Sequence, residues 1–316
     1  MSKTMAVSFC GMEMKNPITT ASGTFNPQAH SQFFDLNRLG AVTVKGVARE
    51  PWPGNPTPRI AETYGGMLNS VGLMNPGIDA FIKDDLEFLK QFDTKVIVNT
   101  AGRTLEDYVE VSRRLAETEV HLVELNISCP NVKEGGVAFG TDARMVEKVV
   151  SAVKKSTRQP LIVKLSPNVT DIVEIARAAE SAGADALSLI NTLLGMRIDV
   201  YKRKPILAQK VGGFSGPAVK PVAVRMVYQV HKACSIPILA MGGIYTGEDA
   251  AEFIMAGATM VATGTANLIE PDAPVRVLDE LEAFMDKTGV QDINEIRGII
   301  EQQKEHKSLD FLRRML

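Results

Sequence analysis

Residues 161–191 read Leu161-Ile162-Val163-Lys164-Leu165, a helical pattern over 169–182, Gly183, and then Ala186-Leu187-Ser188-Leu189-Ile190-Asn191. Two continuous apolar runs flank one amphipathic stretch, and a glycine stands where the helix should stop. Runs without apolar–polar alternation suit parallel strands buried on both faces. The segment is therefore read as a strand–helix–strand unit.

The same rhythm extends in both directions. Strands are expected at 17–21, 41–45, 95–100, 122–128, 161–165, 186–191, 237–241 and 260–263. Helical patterns occupy 80–92, 105–118, 143–157, 169–182, 221–234 and 247–256, and Gly257 repeats the stop of Gly183. Eight strands alternating with helices predict an α/β fold, a (β/α)₈ TIM barrel; an open doubly wound sheet is the alternative architecture. Ahead of the first strand, Val7-Ser8-Phe9 and Glu13-Met14 around Cys10-Gly11-Met12 form a short N-terminal hairpin placed to plug the barrel floor. The 316 residues are read as one domain, since barrels of this kind run longer than the average domain.

Composition narrows the function classes. A net charge of −2 gives no electrostatic reason to expect nucleic acid as a partner. No apolar stretch is long enough to span a membrane, and none follows Met1-Ser2-Lys3-Thr4 as a secretory leader would require. The cysteines are Cys10, Cys129 and Cys234, with no pair at metal-binding spacing. Such a set fits a reducing cytoplasm and no metal site in this chain.

Three connections, 46–78, 130–142 and 192–220, are longer than a barrel needs. All follow strands, so all are expected as long loops on the C-terminal face, where barrels hold their sites. The strand ends there are polar: Lys45, Asn99, Asn126, Lys164 and Asn191-Thr192. Gly242-Gly243 and Gly264-Thr265 follow the last two strands, the usual phosphate site of a barrel. A phosphate-bearing ligand with a flat polar rim, such as a flavin, suits amides and cations in one mouth. Cys10 and Cys234 read as small buried hydrophobes. Cys129 follows a polar strand end and opens a long loop, so it is a candidate proton acceptor or nucleophile. None of His30, His121, His231 and His306 is placed to make a cysteine–histidine pair with it.

Several motifs, in this order, resemble the class 1 dihydroorotate dehydrogenases. They are Asn16-Pro17, Ala21-Ser22-Gly23, Gly54-Asn55-Pro56-Thr57-Pro58-Arg59, Asn69-Ser70-Val71-Gly72-Leu73 and Asn126-Ile127-Ser128-Cys129-Pro130-Asn131. Val163-Lys164-Leu165-Ser166-Pro167-Asn168, Ile190-Asn191-Thr192, Gly213-Phe214-Ser215-Gly216-Pro217-Ala218 and Met241-Gly242-Gly243-Ile244 complete the series. The resemblance implies oxidation of dihydroorotate to orotate with one FMN per chain. It makes Cys129 the catalytic base. It gives substrate contacts to Lys45, Asn69, Ser70, Val71, Gly72, Leu73, Asn126, Asn191 and Thr192. It gives FMN contacts to Ser22, Lys45, Gly46, Asn99, Asn126, Lys164, Ile190 and Gly216, with Gly242, Gly243, Gly264 and Thr265 around the phosphate.

Residues 132–141 resemble the B subgroup, which implies a homodimer assembled into a heterotetramer with a partner subunit carrying FAD and a [2Fe-2S] cluster that reduces NAD. The fumarate-reducing A subgroup and a dihydropyrimidine dehydrogenase-like barrel are the near alternatives. A tRNA-reducing flavin barrel would need a basic surface. A flavin-free isomerase or aldolase using Lys45 or Lys164, or a non-catalytic barrel, would be of another class. Residues 292–316 match no motif of the family.

Overall fold

The computed structural model describes residues 3–127 and 139–301. Eight parallel strands form the central sheet: β1 (Ile18–Thr20), β2 (Ala41–Val47), β3 (Lys95–Thr100), β4 (Leu122–Asn126), β5 (Leu161–Lys164), β6 (Ala186–Leu189), β7 (Ile238–Met241) and β8 (Met260–Thr263). Their order is β1-β8-β7-β6-β5-β4-β3-β2. The two ends meet through threonines. The Thr20 hydroxyl donates to the Thr43 carbonyl at 3.1 Å and accepts from the Thr43 amide at 2.9 Å, while the Thr19 and Thr43 hydroxyls lie 3.2 Å apart. The sheet thus curls into the expected barrel.

All eight expected strands are present, and several stop earlier than the apolar runs. Asn126, Lys164 and Leu189 are the last strand residues of β4, β5 and β6. β2 runs on to Val47, with a register shift between Val44 and Val47. Such a bulge re-aims side chains, here Lys45, at the rim of the barrel.

Helices cover the outside, and several start on a side-chain cap. Thr104 and Asp107 close a capping box on Leu105–Leu115, and Thr246 and Asp249 do the same on Gly247–Met255. The expected helix at 169–182 begins only at Ile172, because Asp171 caps it by accepting from the Val173 amide at 2.8 Å. The pattern at 80–92 is a wound segment, Ile78–Ala80, Phe81–Leu86 and Glu87–Leu89, whose middle part is a π-turn. An outer helix, Ala273–Thr288, lay outside the expected set; Gly289 ends it at φ 78°.

The floor hairpin pairs Val7–Phe9 with Met12–Met14, burying Phe9 and Met14 completely. The Cys10 thiol approaches the Asp185 carbonyl at 3.7 Å, just before β6 begins, so the hairpin sits at the N-terminal end as expected.

Two of the long connections hold more structure than the sequence announced. Ile60–Thr63 and Gly66–Asn69 from the first pair with Leu193–Met196 and Val211–Ser215 from the third. Together they build a four-stranded antiparallel sheet. Its central pairing joins Gly213 to Asn69, far apart in sequence, so no local periodicity betrays it. Most of residues 130–142 lies outside the described residues. Among the described residues no helix is long and apolar enough to cross a membrane, and no cluster of His, Cys, Asp and Glu is arranged to hold a metal.

Candidate active site

A cleft of about 250 Å³ opens at the C-terminal end of the barrel, roofed by the four-stranded sheet. Each of the eight barrel strands feeds it from its own end or the residues just after. Ser22 comes from β1, Lys45 and Gly46 from the bulge of β2, Asn99 from β3, Asn126 from β4 and Lys164 from β5. Ile190, Asn191 and Thr192 follow β6, Gly242 and Gly243 follow β7, and Gly264 and Thr265 follow β8. The small sheet and the residues following its strands add Asn69, Val71, Gly72, Leu73 and Gly216. So the described candidates converge on one cavity, with a single exception. Ser70 is fully buried outside the lining; its amide donates to the Arg59 carbonyl at 2.8 Å and its hydroxyl has no hydrogen-bond partner among the described residues. Cys129 lies outside the described residues, and the chain is followed as far as buried Ile127.

The polar side is a connected network. The Lys164 ammonium donates to the Ser22 hydroxyl at 3.1 Å and stands 3.9 Å from a carboxylate oxygen of Glu124. That same oxygen accepts from the Asn99 amide, and the other accepts from the Ser188 hydroxyl at 2.7 Å. Asn126 donates to the Asn99 side-chain oxygen at 3.3 Å, and Asn191 donates to that of Asn126 at 3.4 Å. The Tyr108 hydroxyl donates to the Asn126 carbonyl at 2.8 Å and fixes the strand end from behind. Glu124 was missed in the sequence. Its signal was there, one acid inside the buried run Leu122-Val123-Glu124-Leu125-Asn126.

Lys45 is half-buried. Its ammonium is held below the ordinary lysine value chiefly by burial and then by repulsion from Arg59. A cation of this kind is poised to gain a negatively charged neighbour.

Part of the lining is apolar. Met67, Phe214, Met241 and Leu268 face the cleft, none of them singled out by its own residue type in the sequence. The roof is tied down at two points. Asn168 donates to the Thr192 carbonyl at 2.9 Å and accepts from the Leu194 amide at 2.9 Å, and Thr265 donates to the Ser215 hydroxyl at 2.8 Å.

At the β7–β8 end the wall is backbone. Gly243 has φ 84°, and a Cβ there would meet Lys220 Cβ at 2.8 Å and the Gly216 carbonyl at 2.9 Å. A Cβ on Gly264 would meet only Ala21, at 3.5 Å, because its open side is the cleft.

Comparison with known proteins agrees with this architecture. The family model described as dihydroorotate dehydrogenase matches residues 4–285. A protein of Alkaliphilus oremlandii named dihydroorotate dehydrogenase B (NAD(+)), catalytic subunit, is 65% identical over 94% of this chain and 98% of its own length. A protein of the same name from Lachnoclostridium phytofermentans is 62% identical over 93% and 98%. A crystal structure of DHODH from Eimeria tenella in complex with ferulenol superposes with a TM-score of 0.78 at 23% identity, covering 94% of this chain and 88% of that one, a likeness of fold. On the family match and these identities, the chain belongs to the dihydroorotate dehydrogenase family.

Proposed function

We propose that this chain is the catalytic subunit of an NAD-linked dihydroorotate dehydrogenase, oxidising dihydroorotate to orotate in de novo pyrimidine biosynthesis. One observation carries the reading: apart from Ser70, every described candidate residue lines a single cleft at the C-terminal mouth of the barrel. The names of the relatives, 65% and 62% identical, support the substrate and the NAD linkage.

The cleft suits one FMN. Its lining combines cations, amides and apolar side chains with a glycine-walled end suited to a phosphate. Ser22, Lys45, Gly46, Asn99, Asn126, Lys164, Ile190 and Gly216 would hold its ring system, and Gly242, Gly243, Gly264 and Thr265 its phosphate. When bound, FMN supplies the hydride acceptor.

Dihydroorotate loses a proton from one ring carbon and a hydride from its neighbour. Cys129, three residues after Asn126 in the sequence, would take the proton. Asn69, Asn126 and Asn191 each offer a donor and an acceptor, which matches the imide-like edge of the substrate. Thr192, Val71, Gly72 and Leu73 complete that pocket, and Ser70 supports the segment from behind. Lys45 would lie beside both substrate and flavin, its burial cost offset when an anionic ligand arrives.

Electrons then leave through a partner subunit carrying FAD and a [2Fe-2S] cluster, in a cytoplasmic heterotetramer built on a homodimer of this chain. The test is reconstitution. The purified chain should take up one FMN and, once reduced by dihydroorotate, be reoxidised by NAD only when the partner subunit is present. A chain that stays colourless after FMN is supplied refutes the flavin reading. Direct reoxidation by fumarate refutes the NAD-linked one.

A further inference from the structure

Glu124 is fully buried in the middle of β4, two residues before Asn126 and so on the same side of the strand. It does not line the cleft, yet three donors that belong to the cleft or its floor converge on it: Asn99, Ser188 and Lys164. Acids are almost never fully buried unless paired, and replacing a buried pair by apolar groups is often harmless to stability. Removing one partner alone leaves the other charge buried and uncompensated, so readouts other than stability separate a structural role from a role in the cleft.

We infer that Glu124 is a positioning residue for the cleft: it fixes which edges of the Asn99 and Asn126 amides face the bound molecules, and it offsets the charge of Lys164. The inference rests on the flavin and dihydroorotate reading given above. A carboxylate only accepts hydrogen bonds, whereas an asparagine amide has one donating and one accepting edge. Asn99 must therefore turn its NH₂ toward Glu124. Its oxygen is left facing Asn126, which donates to it at 3.3 Å. Asn126 then has its own oxygen toward Asn191, which donates at 3.4 Å. The acceptor at the bottom of the cleft sets the order of three amides up to its mouth. An amide in place of Glu124 pairs with either edge of Asn99, so the order is no longer dictated.

The second consequence is electrostatic. Glu124 lies 3.9 Å from the Lys164 ammonium in a water-poor floor. Removing the acid leaves the lysine's charge less screened at the flavin, which favours the more negative, reduced form. The midpoint potential of the bound flavin should rise. Removing the lysine should lower it.

The experiment measures flavin potential and dihydroorotate KM in the FMN-loaded wild type, Glu124→Gln, Lys164→Met and the double variant. Glu124→Gln is expected to raise the potential and to raise KM about tenfold, the scale of one charge-assisted hydrogen bond. The double variant is expected to differ in potential from Lys164→Met by less than Glu124→Gln differs from wild type, because the two charges are coupled. If Glu124→Gln gives no soluble protein, the comparison of Lys164→Met with the double variant carries the test. A higher dihydroorotate KM in the double variant than in Lys164→Met supports the role, because the ordering of the amides does not pass through Lys164, and equal KM values overturn it. Glu124→Gln with wild-type potential and wild-type KM overturns the inference alone. A wild type that binds no FMN, or whose FMN dihydroorotate does not bleach, overturns the functional reading instead.

Discussion

Two glycines of the β7–β8 wall should respond to alanine in opposite ways. At Gly243 the backbone has φ 84°, where an L side chain costs about 1–2 kcal/mol. The new Cβ would also press on Lys220 Cβ at 2.8 Å and the Gly216 carbonyl at 2.9 Å, both part of the folded scaffold. Overpacking of this kind costs about 1–3 kcal/mol, so Gly243→Ala should lose about 2–5 kcal/mol in all. For a chain of this size that lowers the Tm of the flavin-free protein by roughly 4–10 °C. At Gly264 φ lies outside the left-handed region, and the Cβ meets only Ala21 at 3.5 Å, an ordinary contact. Gly264→Ala should leave the flavin-free Tm within about 1 °C of wild type, since surface-like substitutions without a clash are nearly neutral. Its methyl group projects into the cleft, so FMN affinity should fall about tenfold or more, the cost of displacing a bound phosphate by roughly 1.4 kcal/mol. Thermal melts of flavin-free protein and FMN titrations by fluorescence quenching separate the two effects. A Gly264→Ala protein that melts as early as Gly243→Ala, or that binds FMN like wild type, refutes the placement of the phosphate against this wall.

Other outcomes follow from the same site. Cys129→Ala should slow flavin reduction by dihydroorotate about 10²–10⁴-fold while FMN stays bound, and a wild-type rate in single-turnover mixing would contradict the base assignment. Lys45 has its folded-state value below the ordinary 10.5, so between the two values the unfolded chain binds more protons and stability rises with pH. Lys45→Met should accordingly stabilise the flavin-free protein near neutral pH and lose that advantage as pH approaches 10.5; urea midpoints that diverge instead of converging would show the sign is wrong. Burial pushes the Cys10 and Cys234 thiols up to about 12, so both should resist iodoacetamide in mildly alkaline buffer until the protein is unfolded. Rapid native alkylation of either, located by peptide mapping, would contradict it.

The barrel was legible because buried parallel strands write themselves as uninterrupted apolar runs, and its mouth because several of those runs end in lysine or asparagine. That logic located Lys45, Asn99, Asn126 and Lys164 from sequence and set them in one cleft. It failed where structure depends on distant partners. The sheet joining residue 69 to residue 213 has strands of four and five residues, too short to show a period, and they read as loops. Ser70 was grouped with its neighbours by motif, yet its side chain turns away from the cleft into the protein. Glu124 stands out in the sequence as one acid in an apolar run, but a single residue carries no spacing from which its role could be decoded. Its meaning appears only when Asn99, Ser188 and Lys164 arrive from three other strands.

The most direct test of the central claim is anaerobic mixing of the FMN-loaded chain with dihydroorotate while the flavin absorbance is followed. The flavin should bleach in a single turnover with orotate formed in equal amount. A flavin that remains oxidised under saturating dihydroorotate would contradict the account.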